Sequence, residues 1–154
     1  MKRFVWLMLS FVILLSVMGC DFESRQDQLM DTLGDWECTE FYTSGGFQDY
    51  TDFGKYHVSG DAVAKSACFA PVSEADIETL NGFWDDFEGW IDSIGRSDPD
   101  NEVVVNYRFD RALADPEDWF YIYEDLEIYS KYGCYDIWFY DSQSGVLYYF
   151  HNNI

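Results

Sequence analysis

The sequence predicts an α+β domain: a mostly antiparallel sheet of about four strands with one long amphipathic helix packed on one face. Three observations predict it. Residues 74–94 repeat apolar side chains at helical spacing. Four later segments are rich in β-branched and aromatic residues. The last two of these are joined by Ser142-Gln143-Ser144-Gly145, a turn sequence with glycine where a left-handed residue fits. Helix and strands come in separate runs and do not alternate as βα units, which is the α+β pattern.

At the amino end, Lys2 and Arg3 precede Phe4 to Val17, an apolar run broken only by Ser10 and Ser16. A basic start, a short apolar stretch and a small residue at its exit form the pattern of a secretory signal covering residues 1–19. The run is too short to cross a bilayer, which takes about 20 apolar residues. Its exit, Val17-Met18-Gly19-Cys20, resembles the lipobox of bacterial lipoproteins. That resemblance implies a diacylglyceryl thioether on Cys20, cleavage before it, and acylation of the new amino group. Two or three acyl chains, each buried methylene contributing about 0.8 kcal/mol, give a stable anchor where one chain gives only reversible binding. Asp21 resembles the residue that retains such proteins at the inner membrane of enteric bacteria. The expected address is the cell membrane, lipid-anchored, on its extracytoplasmic face.

The remaining elements follow in order. Residues 20–35 read as a lipidated terminus and a short helix or tether, with Leu29, Met30 and Leu33 on one side and Gly34 as the stop. Residues 36–154 form a single globular domain. In its first part, "WECTEFY" alternates like a strand and Ser44-Gly45-Gly46 is a turn. "FQDYTDFGKYHVSG" reads equally as a strand pair or an aromatic loop.

The helix at 74–94 carries Ile77, Leu80, Trp84, Phe87, Ile91 and Ile94 at spacings of three and four. Ser73 is placed as its N-cap and Gly95 as its end. Strands are expected near 102–109, 118–123, 135–141 and 146–151. In the last pair Ile137 and Phe139 share a face, as do Trp138 and Tyr140. Val146, Tyr148 and Phe150 alternate with Leu147, Tyr149 and His151. Both faces are thus aromatic, so the one without the helix needs other cover or stays partly exposed.

Charge narrows the function classes. Residues 1–19 hold two of the nine basic residues and none of the 29 acidic ones, leaving 7 against 29, or −22. Nucleic-acid binders need a basic face, so nucleic acid is excluded as a partner. The domain is also repelled by anionic headgroups within about a Debye length, roughly 8 to 10 Å. A field of one sign speeds encounter with a basic partner, and it also serves solubility.

Three cysteines remain after Cys20: Cys38, Cys68 and Cys134. Export favours oxidation, three thiols allow one internal bridge, and Cys38–Cys68 closes the shortest loop. All three buried and reduced is the alternative.

No motif for a nucleophile elbow, a zinc protease or a phosphate loop is present, and His57 and His151 have no local ligand spacing. Asp98, Asp100 and Glu102 alternate as in a calcium loop, but the glycine and the twelfth-position glutamate are missing. No catalytic residue, metal ligand or cofactor is assigned. Aromatic residues, 20% of the chain, are the surplus to explain. Tyr-rich strands such as 119–123 and 148–150 supply either protein anchors or stacking platforms for sugars, and half-buried tyrosine is also an ordinary strand former. The expected function is an inhibitor- or immunity-type domain that binds a basic protein. The alternative is a carbohydrate or cell-wall binding module.

Overall fold

The computed structural model describes residues 25–45, 49–124 and 132–153. Residues 1–19, expected to be a signal sequence, and Cys20 lie outside them. Two compact units divide the chain, Met1–Thr32 and Leu33–Ile154. The described part of the first is helix α1 (Arg25–Leu33), whose last residue opens the second unit. Thr32 Oγ1 donates to the Leu29 carbonyl at 2.6 Å, and Gly34, at φ +76°, supplies the left-handed residue that stops the helix.

The second unit is built on one antiparallel sheet. Its elements are β1 (Trp36–Thr43), β2 (Tyr50–Val58), α2 (Gly60–Lys65), β3 (Ala70–Pro71), α3 (Glu74–Ser97), α4 (Glu102–Asn106), β4 (Trp119–Glu124), β5 (Tyr135–Asp141) and β6 (Val146–Asn153). A single 3-10 turn covers Arg111–Leu113. The six strands lie in the order β1-β2-β6-β5-β4-β3. The expected α+β class therefore holds, but the sheet has six strands where four were expected. The two added on one side, β1 and β2, come from the stretch whose sequence reads equally as strand or loop.

Helix α3 starts where its capping residues put it. The Asp76 amide donates to Ser73 Oγ at 3.4 Å and Ser73 N–H donates back to Asp76 Oδ2 at 3.0 Å, closing a capping box. The helix runs through Gly95 to Ser97. That glycine is a point of close approach: a Cβ there would lie 3.3 Å from Val104 Cγ1 of α4. Leu80, Phe83, Trp84, Phe87 and Ile91 are buried against Phe53 of β2, Ile137 and Phe139 of β5 and Phe150 of β6.

Residues 102–109 are not a strand. Asn101 caps a short helix by accepting from the Val103 amide at 3.2 Å, and the following chain runs extended between α3 and the sheet. The Asp98-Pro99-Asp100-Asn101 turn supplies that cap, and packing overrides the β propensity of Val103, Val104 and Val105. Tyr107 and Phe109 then fill the core, Tyr107 edge-on to Phe53 at 5.0 Å and Phe109 edge-on to Phe150 at 4.9 Å. Arg111 clamps this segment to α3, bonding both carboxylate oxygens of Glu88 (3.2 and 2.6 Å) and Asp85 Oδ1 at 2.5 Å.

The face away from α3 is also covered over its centre. Trp138 and Tyr149 stack at 4.2 Å and both are buried, as are Tyr56, Tyr140 and Leu147. Strand β5 is buried along its whole length. Its hairpin to β6 closes as expected: Gly145 has φ +71°, and Asp141 accepts from Gln143 N–H at 2.9 Å and Ser144 Oγ at 2.6 Å.

Candidate functional site

Strand β1 is an outer edge of the sheet and is exposed along most of its length. Its pairing with β2 carries an irregularity between Cys38 and Glu40. One extra residue there reverses the side-chain alternation. Consequently Trp36 and Phe41, five positions apart, share the face opposite α3: Trp36 lies edge-on to Tyr56 at 5.9 Å, and Phe41 stacks over Tyr149 at 6.5 Å. Both are more than a third exposed, 43% and 40%, among the few large apolar side chains left in water. Glu40 is neutralised by Lys55 across the strand pair at 2.9 Å. Asp35 and Glu37, flanking Trp36, have no such cation among the described residues. A shallow groove of about 490 Å³ adjoins them, lined by Asp35, Trp36, Glu37, His57 and Ser144. Its chemistry suits a cationic side chain: Glu37 lies cross-strand from the exposed His57, on the face opposite to the Trp36 indole, with Asp35 at the start of the strand and open solvent beyond.

A second constellation lies on the same face of the sheet, at its other end. Register places Asp52 of β2 opposite His151 of β6, and His151 opposite Asp136 of β5. His151 Nδ1 lies 2.7 Å from Asp136 Oδ1, which also accepts from the Tyr149 hydroxyl at 2.8 Å. The imidazole sits beside the Tyr50 ring, 4.8 Å between centroids. His151 Nε2 and Asp52 Oδ1 are buried without a hydrogen-bond partner. Burial pushes the Asp52 carboxyl above the usual carboxylate range; the Thr43 hydroxyl and His151 oppose that shift, and Asp136 adds to it. Burial likewise raises the Tyr149 phenol well above its ordinary value, with Asp136 adding to the shift. The row is a largely buried hydrogen-bonded array. Among the described residues no group of three His, Cys, Asp or Glu is placed to hold a metal ion.

A third feature is a cavity of about 280 Å³ whose lining includes Tyr50, Trp90, Asp98, Asn101 and Asn153. Its amides are engaged within the fold: Asn101 Nδ2 donates to the Ser44 carbonyl at 2.9 Å, and Asn153 Oδ1 accepts from Cys134 Sγ at 3.1 Å.

The residues singled out from sequence fall as follows. Cys20 is outside the described residues. Cys38, Cys68 and Cys134 are free thiols, the first two exposed, so the Cys38–Cys68 bridge is not formed. The topology explains this. Cys38 is on β1 and Cys68 lies two residues before β3, at opposite edges of the sheet. Five strand steps of about 4.8 Å separate those edges, against the roughly 4.4–6.8 Å between Cα atoms that a disulfide tolerates.

His57 and His151 are not brought together; His57 faces Val146 across the strand pair and is exposed. Asp98 caps the end of α3 and accepts from Asn101 Nδ2 at 3.3 Å, a turn role. Of the tyrosine-rich stretches, Tyr149 and Phe150 are buried, and residues 119–123 are half-buried throughout. Neither stretch forms an open stacking platform. No helix among the described residues is long and apolar enough to cross a membrane.

Comparison with protein-family models, with curated proteins and with solved structures finds no match to this chain.

Proposed function

We propose that this chain is a non-enzymatic protein-binding domain, an inhibitor- or immunity-type partner of a basic protein, tethered by lipid on Cys20 to the extracytoplasmic face of the cell membrane. One observation carries the reading: an open edge strand exposes Trp36 and Phe41 on one face, next to Asp35 and Glu37, carboxylates that no cation neutralises among the described residues. Exposed aromatics of this size are what interfaces use as anchors, and surrounding charge of one sign selects and steers the partner. A formal charge of −20 over the whole sequence extends that steering beyond the contact itself. The test is a pull-down from envelope extract at low and high salt, with the parent chain and a Trp36→Ala, Phe41→Ala double variant. Basic proteins recovered at low salt, lost at high salt and lost with the double variant support the reading. Neutral, salt-insensitive partners that bind the double variant equally well overturn it.

A second reading, carbohydrate or cell-wall binding, draws on the cavity where Tyr50 and Trp90 accompany Asp98 and Asn101. Aromatic rings beside an exposed carboxylate are a combination that holds sugars. Retention on purified cell wall, abolished by Trp90→Ala and untouched by Trp36→Ala, would favour it over the first.

A further inference from the structure

The open edge of the sheet defines how such a partner would bind, and this step rests on the protein-binding reading above. We propose that β1 accepts an extended basic segment of the partner as a seventh strand, with its apolar side chains on the face of Trp36 and Phe41 and its lysine or arginine side chains on the other face, beside Glu37.

The sheet treats its two edges differently. At one, β3 is only two residues long and ends in Pro71, which has no N–H to offer. Short edge strands and proline are devices that block pairing with another chain. At the other, β1 is eight residues long, contains no proline, and among the described residues pairs with β2 alone. Its outward row of backbone N–H and C=O groups is a template for strand addition, in which main-chain bonds give affinity and alternate side-chain sites give specificity.

The occupant is set by charge. A second copy of this chain would bring its own Asp35, Glu37 and net charge of −20 to the same edge, so self-pairing is opposed. A basic segment meets the reverse situation. On the face opposite α3 it finds Trp36 and Phe41, and at the start of the strand the groove with Asp35, Glu37 and His57. Apolar side chains of the segment on that face meet the two rings, and cationic side chains on the other face meet Glu37, gaining ionic attraction. Glu40, already paired with Lys55 at 2.9 Å, is spent within the fold, so selectivity lies at the Trp36 end.

The test uses the full chain in detergent and three synthetic probes: a short peptide alternating lysine and valine, the same peptide N-methylated at alternate backbone nitrogens, and a glutamate–valine counterpart. Binding is followed by calorimetry and by amide hydrogen exchange over residues 36–43. The lysine–valine peptide should bind and protect alternate amides of β1, those directed away from β2. Backbone methylation and the glutamate peptide should each abolish binding. Trp36→Ala and Glu37→Gln should each weaken it about threefold or more, with the thermal transition of each variant checked against the parent.

Binding that survives backbone methylation and leaves β1 amides unprotected overturns strand addition while leaving the protein-binding reading intact. No binding of the lysine peptide up to about 1 mM, a free energy near −4 kcal/mol, also overturns it. The envelope pull-down then judges the broader reading separately.

Discussion

Asp52 is the residue whose replacement most directly tests the physical account of the buried polar row. Its side chain is nearly buried, its Oδ1 has no hydrogen-bond partner, and desolvation raises its pKa above the ordinary 3.8. A buried polar atom left unsatisfied costs about 1–3 kcal/mol, more when charged. Asp52→Asn keeps the shape and the acceptor for Thr43 and removes the charge. We expect the variant to be more stable than the parent by about 1–2 kcal/mol at neutral pH. For a domain of this size that is a rise of about 3–8 °C in Tm.

The sign with pH follows from the direction of the shift. A carboxyl raised in the folded state contributes stability that is complete below its unfolded pKa and is lost as pH rises through the folded one. The gain from Asp52→Asn is therefore near zero around pH 4 and complete at neutral pH. Thermal unfolding followed by circular dichroism at the two pH values reads it out. A variant less stable than the parent at neutral pH, or equally stabilised at both, refutes the desolvation argument.

Three shorter expectations accompany it. Phe87→Ala, at a fully buried ring packed edge-on to Phe150 at 5.3 Å, should destabilise by about 3–5 kcal/mol in urea unfolding. Asp118→Ala should cost about 2–4 kcal/mol in the same assay. It strands the Ser142 and Asp115 amides, which donate to that carboxylate at 2.9 Å each and tie the start of β4 to the β5–β6 turn. Cys20→Ser should lose metabolic labelling by fatty acid and leave the membrane pellet; a variant that labels and sediments like the parent removes the tether from the proposed function.

What was legible in the sequence is what depends on local signals. Ser73 and Asp76 interact over three residues, so the start of α3 was readable, and the period-2 alternation in 135–141 and 146–151 assigned both faces of β5 and β6 correctly. Residues 102–109 misled because three consecutive valines favour a strand in isolation, whereas Asn101 caps a helix and the core between α3 and the sheet takes Tyr107 and Phe109 as inserted chain. Neither candidate site was visible. Trp36 and Phe41 are of opposite parity and share a face only because of the bulge near Thr39. Asp52, Asp136 and His151 are spread over about a hundred positions and meet only through strand register. Composition did show that acid and aromatic residues are in surplus; topology decides which of them reach solvent.

The same physics extends from Asp52 to the whole domain. Asp52, Asp86 and Asp118 each have their carboxyl pKa raised, and in each case burial is the leading cause. Opposing hydrogen bonds come from Thr43, from Tyr135 and Trp90, and from Ser142 and Asp115 respectively. All three shifts point the same way, so all three contributions grow as pH falls from neutral toward the folded pKa values. The excess of 29 acidic over 9 basic residues adds a repulsion that protonation and salt both relieve. Domains that lose stability on acidification do so mostly because their paired carboxylates must be protonated. This one should gain it, with Tm rising between about pH 7.5 and pH 5.5 and rising again with added salt at the higher pH. A Tm that falls steadily across that range, or that is indifferent to salt, would mean that paired carboxylates outweigh the desolvated ones and that the surface charge is too dispersed to matter. The steering assigned to that charge would then lose its physical basis.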